Sequence, residues 1–141
     1  MFGTGKVECG TEVLGVTSLG PILRLIFTGV HEDGVGHLVS DYVVEALKLH
    51  DPAAVILDFL HFKYRFGNDI GGVVQAFVHR GADGKAAVRP AAIVATGRTA
   101  ESFMSLLGPS RLLDLCGVRF FADVASAARD LRGRLDSGGQ L

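Results

Sequence analysis

Apolar and polar positions divide the chain into alternating runs. The plainest is Ala53–Leu57, a continuous apolar stretch closing on Asp58. A run apolar at every position predicts a strand covered on both faces, central in its sheet. A second apolar run, Ile22–Phe27, predicts another strand, ended by Thr28-Gly29, and Ala91–Ala95 a third, ended by Thr96-Gly97. Val118–Phe121 predicts a short fourth strand. Between these the spacing changes to three and four residues. Leu38, Tyr42, Val43, Ala46 and Leu47 predict a helix from about Val35 to His50, stopped by Asp51-Pro52, because a residue before proline avoids the helical region. Val124, Ala127, Ala128, Leu131 and Leu135 predict a last helix from about Asp123 to Leu135. Its Arg129, Arg132 and Arg134 are expected to form a solvated face.

The remaining segments carry weaker patterns. Lys6–Thr17 reads as one or two short strands with a turn near Gly10. A helix is expected from about Asp69 to His79, with Asn68 as its N-cap and Asp69 in the first turn, where the helix dipole favours an anion. A polar loop, Arg80–Lys85, follows it. Thr99 is read as the cap of a helix holding Phe103, Leu106 and Leu107, broken at Gly108-Pro109, after which Leu112, Leu113 and Leu115 continue an apolar stretch. Strands alternating with helices define an α/β domain with a largely parallel sheet.

Composition narrows the setting. The 141 residues suffice for one domain with a sizeable core, and 48% are hydrophobic. The 14 basic and 15 acidic residues balance to −1, so no field selects nucleic acid or an anionic membrane. Cys9 and Cys116 lie far apart with no metal or redox spacing and are expected to be free thiols in a reducing compartment. No apolar run approaches the roughly 20 residues of a membrane span, and no signal pattern opens the chain. The expectation is a cytoplasmic protein with one domain, residues 1–135, comprising an N-terminal strand region (1–21) and a core (22–135), with residues 136–141 as a flexible tail.

Candidate chemistry is sparse. Gly3-Thr4-Gly5-Lys6 lacks the glycine spacing, the preceding strand and the hydroxyl of a phosphate loop. His31, Glu32, Asp33 and His37 could be pictured as metal ligands, but two glycines among them leave that spacing without a rigid support, and they read as a polar loop and first helical turn. There is no nucleophile elbow and no cysteine beside a base. No catalytic residue, cofactor site or metal site is assigned.

The order of these motifs resembles a known family. Phe27-Thr28-Gly29 closes a strand, Ile56-Leu57-Asp58-Phe59 closes the next, and Gly67-Asn68-Asp69-Ile70-Gly71 opens a helix. Leu112-Leu113-Asp114-Leu115-Cys116-Gly117-Val118 and Phe120-Phe121 then precede a final helix. From about Ile22 to Leu135 this resembles the STAS domain of bacterial anti-sigma factor antagonists. The resemblance implies a STAS-like α/β fold, with a four- to five-stranded mixed, largely parallel sheet and about four helices. It also implies a non-enzymatic module in signal transduction and transcription regulation. The implied partner is an anti-sigma factor, a serine-kinase-like protein or another regulatory protein. Where the family has Asp-Ser-Ser-Gly, this chain has Phe66-Gly67-Asn68-Asp69. The phosphorylated serine would fall on Gly67, which has no hydroxyl, so the charge that a phosphate adds cannot be placed there.

Partner contact is therefore expected at Phe62, Tyr64, Arg65, Phe66, Gly67, Asn68 and Asp69, since aromatics with arginine are enriched at binding hot spots. Phe62, Tyr64 and Phe66, at period two, equally well pack one face of an extended segment. One alternative is a phosphotransfer receiver with Asp58 as phosphoacceptor. It is poorly served by the acidic pair Glu32-Asp33, which lies too close before Asp58, and by the absence of a lysine after the last strand. The other is a small-ligand-binding or dimerisation module, with a homodimer formed through the N-terminal strand as an exposed edge.

Overall fold

The computed structural model describes residues 7–17, 19–31, 36–64, 78–80, 86–88, 90–101 and 118–136. Five strands form one sheet: β1 (Val7–Thr17), β2 (Gly20–His31), β3 (Ala54–Tyr64), β6 (Ala91–Val94) and β7 (Val118–Phe121), side by side in that order. β1 and β2 are an antiparallel hairpin; every later pairing is parallel. A separate two-stranded ladder joins β4 (Val78–Arg80) to β5 (Ala86–Val88). The helices are α1 (Gly36–His50), α2 (Val124–Asp136) and a helical turn over residues 97–101. The mixed sheet is the expected one, and three helical segments stand among the described residues where about four were expected.

The two faces of β3 show why its sequence is apolar throughout. Val55, Leu57 and Phe59 face α1, packing with Leu23, Leu25, Phe27, Val39, Val43 and Ile93. Ala54 and Ile56 face α2, packing with Ile22, Ala92, Val94, Ala127 and Leu131. The sheet is thus a middle layer, and its apolar runs follow from burial on both sides. α1 ends at Asp51, whose φ of 43° turns the chain left-handed while its N–H donates to the Leu47 carbonyl at 2.9 Å. α2 opens on Asp123, which accepts the Ser126 N–H at 2.7 Å as an N-cap.

Several expectations need correction. Gly10 does not turn the chain: β1 is one strand, and its irregularity is a bulge at Leu14, with Val13 opposite Leu23 and Gly15 opposite Ile22. The turn lies at Gly20, which carries a φ of 132°. Residues 78 and 79, expected to end a helix, belong to β4, because Val78 and His79 pair with Val88 and Ala87. Thr99 lies inside a helical turn that already begins at residue 97, and its hydroxyl donates to the Phe62 carbonyl at 3.1 Å. Two arginines of α2 are not simply solvated: Arg134 donates to the Ala91 carbonyl at 2.9 Å and Arg132 to the Leu14 carbonyl at 3.3 Å. α2 also includes Asp136, the first residue assigned to the tail. Residues 137–141, the expected helix over residues 69–77, and the helix and apolar stretch from Phe103 to Leu115 lie outside the described residues. No helix among the described residues is long and apolar enough to cross a membrane.

β3 runs six residues past Asp58, the end expected for it. Ile26 pairs with Asp58 and Thr28 with His61, so β3 carries one residue more than its neighbour. This parallel bulge resets the alternation, bringing Phe62 onto the same face as Phe59 and leaving His61 exposed. Phe62→Ala is expected to cost about 3–5 kcal/mol in denaturant unfolding, and His61→Ala less than about 0.5 kcal/mol. An unbulged strand would reverse that order. The hydrogen bonds from Ser126 hold the Asp123 carboxyl below its ordinary value. Its contribution is present above the unfolded carboxylate range and lost as pH falls through the depressed folded value. Asp123→Ala should therefore lower the thermal midpoint at pH 7, and the difference from wild type should vanish in acid.

Candidate functional site

The candidate site is the C-terminal end of β3, where the strand outruns β6. β6 stops at Val94, opposite Asp58, whereas β2 accompanies β3 as far as His31 opposite Tyr64. Among the described residues the end of β3 is therefore a ribbon carried by β2, and the helical turn at 97–101 is tied to it through Thr99 and the Phe62 carbonyl. Its α1-facing side is closed by aromatic rings. Phe59 stacks on Phe27 with centroids 4.9 Å apart and meets Phe62 at 5.2 Å and 58°, while Tyr42 meets Phe27 edge-on at 6.5 Å. Such contacts fix ring orientation beyond what area burial alone would do. Leu60, His61 and Lys63 face outward.

At the root of this ribbon sits a carboxylate. Asp58 is 0% exposed. Its Oδ2 accepts from Arg24 Nη2 at 2.5 Å and Nε at 3.0 Å, and its Oδ1 accepts the Leu60 N–H at 2.9 Å. Arg24 in turn donates from Nη1 to Glu12 Oε1 at 2.8 Å. Hydrogen bonds to Glu12 first, and then to Asp58, raise the Arg24 guanidinium above its ordinary value. The three charges link the edge strand, its neighbour and the central strand on the face shared with α2. Asp58 anchors the bulge through Leu60 and leaves its carboxylate engaged on both oxygens. A phosphoacceptor needs an accessible carboxylate, and this one is closed to solvent.

The residues singled out from sequence divide as follows. Phe62, at 2% exposed, is a core side chain here, placed inward by the bulge. The backbone of Tyr64 ends β3 opposite His31. Arg65, Phe66, Gly67, Asn68 and Asp69 lie outside the described residues, as do Glu32 and Asp33. The sequence reading missed Arg24 and the surface of Leu60, His61 and Lys63. Arg24 had a legible signal: ILRLIF and AVILDFL are apolar strands that each carry one charge, of opposite sign. Cys9 is half-buried, and burial pushes its thiol up to about 11, which suits an inert residue. Among the described residues no group of three His, Cys, Asp or Glu side chains is placed to hold a metal ion.

A buried carboxylate that loses its cation is left uncompensated. Arg24→Leu is expected to destabilise the protein by about 3–5 kcal/mol in urea unfolding. The double variant Arg24→Leu/Asp58→Leu should recover most of that loss. A double variant no more stable than the single one would show that Asp58 does not depend on Arg24.

No family model matches the chain, and no curated protein sequence matches it. Among solved structures, it is similar to an anti-sigma factor antagonist from Mycobacterium paratuberculosis. The two share 12% sequence identity at a TM-score of 0.62, over 91% of this chain and 96% of that one. At that identity the likeness speaks for the fold, and it agrees with the order of motifs from Ile22 to Leu135. The chain has the fold of a STAS-type anti-sigma factor antagonist.

Proposed function

We infer that the protein is a non-enzymatic regulatory module that binds another protein in the cytoplasm, in the manner of an anti-sigma factor antagonist. The observation that carries this reading is the likeness of fold over 91% of the chain to a protein of that activity. The contact surface in this proposal is the end of β3 and the turn beyond it: Leu60, His61, Lys63, Tyr64, Arg65, Phe66, Gly67, Asn68 and Asp69. Phe62 supports it from the core. The partner is an anti-sigma factor, a serine-kinase-like protein or another regulator of that class.

Control by phosphorylation at the usual position has no support, because Gly67 offers no hydroxyl. The receiver alternative is disfavoured by the burial of Asp58 and by Arg24 at its carboxylate. Incubation with acetyl phosphate and Mg²⁺ should leave the intact mass unchanged. An adduct lost in Asp58→Asn would instead favour phosphotransfer.

The test of the interaction is capture by wild type and by Tyr64→Ala/Arg65→Ala, both checked as folded by circular dichroism. A regulatory protein retained by wild type and lost by the variant is the expected outcome, with a drop in retention of about tenfold or more if these are hot-spot residues. Equal retention of the same partner would remove this surface from the proposal.

A further inference from the structure

We propose that the edge strand β1 pairs antiparallel with β1 of a second copy about a two-fold axis through Thr11, continuing the sheet across the two molecules. The inference does not depend on how the turn after β3 is used. Among the described residues β1 is paired only with β2 and ends the sheet. Unlike most edges it carries exposed aliphatic side chains, with Val13 52% and Val16 77% exposed and Leu19, in the adjoining turn, 61% exposed. An edge strand left this way is a template for another strand.

The sequence of β1 selects the register. A two-fold axis normal to the sheet keeps like faces together, so it must pass through a single residue of β1. An axis through Glu8 or Glu12 opposes a glutamate to itself, and one through Gly10 opposes Glu8 to Glu12. Like charges directly opposite are unfavourable. An axis through Cys9 or Val13 avoids this but overlaps fewer residues. With the axis through Thr11, counting the bulge at Leu14, Cys9 opposes Val13 and Val7 opposes Val16 on the α1 side. On the α2 side Gly10 opposes Glu12, which keeps Arg24 as its cation.

The remaining pair commits the interface to a second copy. Glu8 falls opposite Gly15, and over Gly15 lies Arg132: a Cβ there would sit 3.0 Å from Arg132 Nη2. The missing side chain at Gly15 leaves the guanidinium room beside the strand, on the face where the other copy's Glu8 would stand. Directly opposite residues have Cβ atoms about 4.5–5.5 Å apart, within reach of a glutamate and an arginine. The symmetry makes two such pairs, so an acidic position on each copy meets a basic one on the other. The bulge and the two glutamates guard the edge against indiscriminate pairing while leaving this register open.

The test is sedimentation velocity of the full chain over a concentration series. Wild type should dimerise reversibly, with affinity falling as salt rises. Glu8→Arg should raise the dissociation constant about tenfold, since both cross-pairs turn repulsive. Glu8→Arg/Arg132→Glu should return it to near the wild-type value. Glu8 and Arg132 are exposed, so the fold is expected to persist; should Arg132→Glu unfold, Val16→Glu serves as the second variant and should abolish the dimer. A monomer at every concentration would overturn the proposal. So would a dimer insensitive to Glu8→Arg, a charge swap that restores nothing, or a dimer that survives Val16→Glu.

Discussion

The contact between Arg24 and Asp58 governs how the rest of the sheet is arranged. A carboxylate without solvent in the middle of a parallel sheet is tolerable only with a cation and further hydrogen bonds at its oxygens. Arg24 supplies the first, and the Leu60 N–H supplies one of the second. Because that N–H lies two residues along the same strand, the charge does more than neutralise a partner. It holds the extra residue of β3 in place, and the extra residue decides which side chains after Asp58 turn inward. Phe59 and Phe62 meet on one face for that reason, and the ring contacts with Phe27 and Tyr42 follow. An electrostatic contact on the α2 face thus sets the packing on the α1 face.

That coupling explains what the sequence disclosed and what it withheld. Continuous apolar runs located β2, β3, β6 and β7, and three- and four-residue spacing located α1 and α2, within a few residues of their observed ends except at the far end of β3. These signals come from burial, which the composition of each segment reports directly. The extension of β3 past Asp58 was hidden because a bulge breaks period two: Phe59, His61 and Phe62 fit no regular strand, though they fit this one. The short ladder of β4 and β5 was hidden because three-residue strands carry too little alternation to register against a helical background.

The candidate site was legible to a different degree. The order of motifs pointed to the right fold, since order survives sequence change better than identity does: 12% identity accompanies a match over nearly the whole chain. The aromatics after Asp58 left two readings open, and Phe62 proved to be a core residue. The partnership of Arg24 with Asp58 leaves a signal in the sequence. A single arginine in one buried strand and a single aspartate in the next have few places to go except to each other. The exposed Leu60, His61 and Lys63 could not be told apart from core positions without knowing where the alternation resets.

The order of strands in the sheet repeats their order in the chain, β1 to β7, with β4 and β5 set apart in their own ladder. During synthesis the sheet can therefore grow from one side, each new strand docking on the last. β1, β2, α1 and β3 are all available once residue 64 has emerged, and they already contain the aromatic contacts and the buried charge pair. The opposite face must wait. Ile22, Ala54 and Ile56 are covered by Ala127, Ala128, Leu131 and Leu135, which lie in the last described helix. Until α2 emerges, no helix among the described residues covers that apolar surface, so this face of the sheet closes after the other. Such exposure is aggregation-prone, and the docking of α2 is what covers these residues of the sheet.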